Sequence, residues 1–278
     1  MAACGLFAGG MAAASLSAGS AVGARSQGRN VTAAELARFQ GSAPLRGLRL
    51  IHGAKGVHNI ATGGSYNWAG FAGYKDTPQY YTSVVGTWTV PAVTCTSEHR
   101  LTSEWVGLDG AASTDPTVEQ DGTTSECYKG TADYYSWYEM YPAGSVATSL
   151  KVKPGDVITA SVVRSKTNYT LKLTDVTTSG SFTKAATCAL ATCLDESAEW
   201  ITERPAYSIG IAPEAEFTKA IAFSHASATG GGKAGNISSQ PGAVELACYD
   251  ATGAYVIVAT SSLGTTGASF TNTWKNSW

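Results

Sequence analysis

The sequence predicts an all-β chain folded as one antiparallel two-sheet sandwich, and three observations carry that expectation. Only 14% of the 278 residues are charged, while 44% are hydrophobic and 10% aromatic, a balance that suits half-buried strands better than helix bundles, coiled coil or disorder. From Tyr66 onward apolar and polar residues alternate with period two, the spacing of a strand buried on one face. Turn residues interrupt that alternation at short intervals. With 19 basic against 21 acidic residues, a net charge of −2 and no basic stripe, the chain is not expected to bind nucleic acid.

The first 65 residues read differently from the rest. Residues 1–24 are small and apolar and end on Val22-Gly23-Ala24, a small-x-small site before Arg25, which is the pattern of an export signal although no Lys or Arg precedes it. Residues 25–65 carry the basic groups Arg25, Arg29, Arg38, Arg46, Arg49 and Lys55 against acids only at Glu35. This leader is thus positive and the body negative, as in a propeptide and its domain. Leu36 and Phe39 suggest a short helical face, and Gly53, Gly56, Gly63 and Gly64 a flexible joint. Residues 66–278 are then expected to form the sandwich domain of a secreted, extracellular protein, a monomer with no membrane association.

In the body, Val84, Gly86, Trp88 and Val90 share one strand face, and Val85, Thr87 and Thr89 the other. Leu171 and Leu173 alternate with Lys172 and Thr174, and Val244, Leu246 and Cys248 with Glu245, Ala247 and Tyr249. Pro154-Gly155-Asp156 predicts a turn between a strand over Ser149–Val152 and another over Val157–Val163. Cys4 leaves with the signal. Cys188 and Cys193 bracket a loop short enough to bridge, Cys95 and Cys127 could pair across the motif-rich stretch, and Cys248 is then an odd, buried strand residue.

Several chemistries lack their signals. The chain has no Gly-x-Ser-x-Gly elbow and no Asp-Thr-Gly or Asp-Ser-Gly dyad signature. Gly230-Gly231-Gly232-Lys233 lacks the spacing and the Ser/Thr of a phosphate loop and reads as a surface turn. His99 and His225 are the body's only histidines, and no Cys-x-x-Cys occurs, so no metal or other cofactor is expected.

What remains is a set of polar residues inside apolar, aromatic strands: Ser103 to Gly110 around Trp105 and Asp109, Thr117 to Thr123 around Gln120, Tyr134 to Pro142 around Glu139 and Tyr141, and Ser197 to Glu203 around Glu199. An ionised carboxylate cannot be buried unpaired, so such residues face solvent or a polar cleft. Together with Asn67-Trp68-Ala69-Gly70 and Trp88-Thr89-Val90-Pro91, this order of motifs resembles the glutamic peptidases, or eqolisins, a family of secreted acid endopeptidases. The resemblance covers residues 67 to about 275. It implies two packed antiparallel sheets, a concanavalin- or jelly-roll-like sandwich with its cleft on the concave face of one sheet. By position it implies a catalytic pair of Gln120 and Glu199, a cleft lined by Trp105, Asp109, Glu139 and Tyr141, polypeptide substrates and no cofactor. Tyr135 stands where fungal members commonly have Asp, and Asp133 lies just upstream.

Such a pair suits amide hydrolysis. Glu199 can take a proton from water and return it to the departing nitrogen, while the Gln120 amide can face the developing oxyanion and help hold the water. The alternative is a carbohydrate-binding or glycoside-hydrolysing sandwich, which uses aromatic platforms and paired carboxyls. Gln120 in place of a second acid counts against a glycosidase.

Overall fold

The structure, a computed structural model, describes residues 49–55, 57–112, 115–207 and 210–276. The expected signal over residues 1–24 and the leader as far as residue 48 lie outside the described residues.

Along the chain come β1 (Arg49–Lys55), β2 (Ile60–Ser65), β3 (Trp68–Tyr74), β4 (Tyr81–Thr89) and the two-residue β5 (Val93–Thr94). Then follow β6 (Arg100–Leu108), β7 (Val118–Tyr128), β8 (Thr131–Tyr141) and the short β9 (Val146–Ala147). A meander of β10 (Val157–Ser165), β11 (Asn168–Asp175) and β12 (Gly180–Thr187) precedes β13 (Ser197–Glu203). Three two-residue strands, β14 (Ala206–Tyr207), β15 (Gly210–Ile211) and β16 (Glu216–Phe217), lead to β17 (Ile221–Gly230) and β18 (Lys233–Asn236). One turn of 3-10 helix, Ile237–Ser239, connects to β19 (Val244–Tyr249), β20 (Val256–Thr260) and β21 (Phe270–Trp274).

The expected sandwich is present. One layer runs β2-β19-β3-β13-β6-β7-β8, and the other β12-β11-β10-β4-β17-β21. At one corner β20 pairs with both β21 and β19 and joins the layers. The core between them holds Phe71, Val106, Leu108, Ala198 and Trp200 from the first layer and Val84, Trp88, Ile158, Val162, Leu171 and Leu173 from the second. The alternations over β4 and β11 therefore point as the sequence implies. Gly86 lets the layers approach: a Cβ there would meet Trp200 Cδ1 and Val106 Cγ1, each at 2.9 Å. The buried indoles are satisfied across the layers, Trp200 Nε1 donating to the Val85 carbonyl at 2.7 Å and Trp88 Nε1 to Thr123 Oγ1 at 2.9 Å.

Both disulfides form as the spacing suggests, Cys95–Cys127 and Cys188–Cys193, leaving Cys248 free and buried. Gly230 to Lys233 is the β17–β18 hairpin turn. His99 is structural, its Nε2 2.6 Å from Glu126 Oε1.

Two expectations need correction. Gly63 and Gly64 are not a flexible joint: they lie buried in β2, which pairs antiparallel with β1 and in parallel with β19. Gly64 is needed because the Tyr249 ring covers it, 2.8 Å from where a Cβ would stand. Nor do residues 149–152 form a strand. Leu150 and Val152 are buried and their neighbours exposed, but Leu150 N is bound by Thr148 Oγ1 and its carbonyl by Ser136 Oγ, so side chains replace the ladder. The turn at Pro154–Asp156 is as expected, with Lys153 N donating to Asp156 Oδ2 at 2.9 Å.

Candidate active site

Four motifs meet on one face of the first layer because the register aligns them. Glu199 on β13 stands opposite Gly107 on β6, Gly107 opposite Gln120 on β7, and Gln120 opposite Glu139 on β8. Directly opposed residues share a face, so these four form one row. Their flanking neighbours Ala198, Trp200, Val106 and Leu108 enter the sandwich core, so by alternation the row faces away from it. Two strand spacings place the Glu199 and Gln120 backbones roughly 10 Å apart. Gly107 keeps the space between them clear: a Cβ there would lie 2.9 Å from Trp105 Cζ3 and 3.2 Å from Gln120 Cβ.

The Gln120 side chain is oriented by Glu139, with Nε2 donating to Glu139 Oε2 at 2.8 Å. Its Oε1 makes no hydrogen bond among the described residues. Glu199 is fully buried and neither carboxyl oxygen has a partner in hydrogen-bonding geometry. Loss of solvent pushes its pKa well above the ordinary carboxylate range; the nearby Ser197 hydroxyl opposes this, and Asp109, Asp115 and Glu119 add to it.

The next row down is aromatic. Trp105 on β6 and Trp137 on β8 flank Gly122 on β7, where a Cβ would meet Glu104 O at 2.3 Å and Trp105 Cβ at 2.6 Å. Trp105 meets Trp68 edge to face, centroids 4.9 Å apart, in a second apolar cluster with Ala72, Val118, Trp137, Ile201 and Leu246. Tyr141, opposite Val118, and Tyr135 pack against it, each partly exposed. Tyr135 therefore offers this face a ring where an Asp would offer a carboxylate. Asp133 does not replace it: opposite Glu126, it accepts the Tyr134 amide at 2.9 Å.

Asp109 sits at the end of β6 with φ of 67°, a left-handed conformation that Asp tolerates. It accepts from Thr117 Oγ1 at 3.1 Å and from the Glu196 amide at 2.8 Å, and burial raises its pKa to about 7. Its oxygens thus hold the corner beneath the cleft. Glu203, which sequence reasoning left without a role, anchors Trp105: the indole Nε1 donates to Oε2 at 2.8 Å and Asn67 Nδ2 to Oε1 at 3.3 Å. The available signals were its place two pleats from Ile201's neighbour Glu199 and the Asn67-Trp68 motif, whose partner cannot be read locally.

Residues 66–274, about three quarters of the chain, match the family model described as the Peptidase A4 family. No curated protein matches the chain. Among solved structures, scytalido-glutamic peptidase with a transition state analog inhibitor is 24% identical with a TM-score of 0.64, covering 76% of this chain and 98% of that one. SCP-B, a member of the eqolisin family in complex with the tripeptide Ala-Ile-His, is 22% identical with a TM-score of 0.60 and the same coverage. Aspergilloglutamic peptidase from Aspergillus niger is 27% identical with a TM-score of 0.55, covering 63% of this chain and 99% of that one. With the family model spanning both sheets and all four motifs, the chain belongs to the Peptidase A4 family, the eqolisins, and is a glutamic-type endopeptidase.

Proposed function

We propose that this endopeptidase hydrolyses polypeptides with Glu199 as general base and acid and Gln120 as oxyanion donor. The observation that carries the reading is the shared row: Glu199, Gly107 and Gln120 on three adjacent strands, facing away from the core. A peptide laid across the row would have one polar side chain on each side of its scissile carbonyl. The unpartnered Gln120 Oε1 suits a water, and the second N–H of its amide suits the oxyanion. Glu199 accepts the water proton when ionised, and the protonated carboxyl then serves the departing nitrogen. A carboxyl held above its ordinary range is, once ionised, a stronger base, and it keeps its proton further toward neutral pH.

Trp105, Glu139 and Tyr141 border this row and are assigned to substrate or to its alignment, with Asp109 supporting them from below. Peptidic ligands also occupy two of the solved relatives, one a peptide based transition state analog and the other a tripeptide. Secretion is supported by two disulfides, which persist in oxidising compartments, while an acid working range rests on the resemblance to acid endopeptidases alone, because the raised pKa of Glu199 moves the ionisation of this base toward neutral pH. The positive leader is read as a propeptide held to the negative body, its end set before the paired strands β1 and β2, which belong to the sheet. The test is hydrolysis of an unfolded protein across acid pH by wild type and Glu199→Gln. Ordinary turnover by a folded Glu199→Gln protein overturns the assignment.

A further inference from the structure

Below the cleft, three carboxyl groups converge from separate segments. Asp109 at the end of β6, Glu119 in β7 and Asp195 before β13 offer oxygens that all lie within 4.8 Å of one another, and exposure is 1% or less at each. Among the described residues the one cation in contact is Arg164, whose Nε is 3.2 Å from Asp195 Oδ2. Tyr169 donates its hydroxyl to Asp195 Oδ1 at 2.8 Å, and Thr117 and the Glu196 amide donate to Asp109.

Glu119 is the exception. Its Oε2 has no partner among the described residues. The neighbour of Oε1, at 2.9 Å, is Cys193 Sγ, and that sulfur belongs to the Cys188–Cys193 disulfide and has no hydrogen to give. The single hydroxyl proton of Thr117 is aligned on Asp109 instead. A fully buried carboxyl thus enters an acidic cluster with no donor directed at it. Such a carboxyl must either keep its proton or meet a cation.

We infer that Asp109, Glu119 and Asp195 form a structural calcium site under the catalytic cleft. Metal binding requires the carboxyl groups in their ionised form, and three carboxylates against one guanidinium then leave two negative charges, which a divalent ion balances. The setting selects the ion. Calcium accepts an irregular cage of protein oxygens, whereas magnesium demands near-ideal octahedral geometry and keeps several of its waters, for which a cluster exposed by 1% or less leaves little room. The ion would tie the β6 and β7 ends that carry Gly107 and Gln120 to the segment entering β13 and Glu199, without touching substrate.

The test uses the full chain at pH 7 in metal-free buffer, with calcium, magnesium or terbium added at constant ionic strength. Calcium at millimolar concentration should raise the melting temperature by about 5 °C and magnesium by clearly less. Terbium should give emission sensitised by Tyr169 and displaced by calcium. Glu119→Gln, which keeps the volume, should lose both responses while still melting cooperatively, and Glu119→Asp should retain them weakened. Absence of a calcium shift and of displaceable terbium emission in the wild type overturns the site. So does their survival undiminished in Glu119→Gln.

Discussion

Gln120 Nε2 donates to Glu139 Oε2 at 2.8 Å across the β7–β8 ladder. That bond fixes which end of the Gln120 amide presents its oxygen and which its nitrogen. On the proposed mechanism Glu139 is a positioning residue whose effect on the reaction passes through Gln120. Replacing Glu139 with Leu should lower kcat by roughly ten- to a hundredfold, less than losing a whole oxyanion donor, with KM changed only a few fold. Glu139→Gln keeps a carbonyl acceptor and should recover most of the loss. Steady-state kinetics on one peptide decides it; equal defects in both variants would show that the charge, not the acceptor, matters.

Gly107 should be intolerant of a single methyl group. A Cβ there meets Trp105 Cζ3 at 2.9 Å and Gln120 Cβ at 3.2 Å, so Gly107→Ala must displace the tryptophan ring or the Gln120 amide. Activity is expected to fall at least tenfold, since small misplacements at a reacting centre are costly. The melting temperature should move by only a few degrees. A variant with full activity would mean that the row relaxes freely.

Glu104 should make the fold sensitive to alkali. It lies buried on the core side of β6, accepts from Thr102 Oγ1 at 3.1 Å and leaves Oε2 without a partner. Loss of solvent raises its pKa from 4.5 to about 8. The folded state therefore binds this proton more tightly than the unfolded one. Its contribution is complete below about pH 4.5 and is lost as pH rises to about 8, at a slope of up to ~1.4 kcal/mol per pH unit. Glu104→Gln removes that slope. Denaturant melts at pH 4, 6 and 8 should show the variant losing less stability than wild type; parallel losses would sink the assignment.

The Cys95–Cys127 bridge closes a loop over a sequence separation of 32 residues. Chain-entropy reasoning gives about 3–4 kcal/mol for such a loop, so Cys95→Ser with Cys127→Ser should lower the melting temperature by roughly 10 °C. Because Cys127 pairs with Arg100 at the far end of β6 and β7 from Gln120, turnover per folded molecule should be little changed. Calorimetry and active-fraction assays separate the two quantities.

Period-two alternation made β4 and β11 readable, because each buries one face against the other layer. The order of motifs pointed to Glu199 and Gln120 as a pair by resemblance. Their spacing could not be read, since it rests on β6 lying between their strands and on Gly107 having no side chain. Glu119 was equally hidden: in a strand with both faces buried, alternation says nothing about which side a carboxyl enters. The apparent joint at Gly63 and Gly64 misled for a related reason, as glycine marks a close approach of the Tyr249 ring there and not freedom.

The parallel pairing of β2 with β19 has a practical reach. The family match begins at residue 66, and a recombinant domain cut at that point would lack β2. The backbone of Val244 to Cys248, now bonded to Ala61 through Ser65, would become a naked sheet edge open to any extended chain. Shortened proteins of that kind should aggregate or exchange strands, whereas one beginning at Arg49 keeps β2 in place and β1 paired along it.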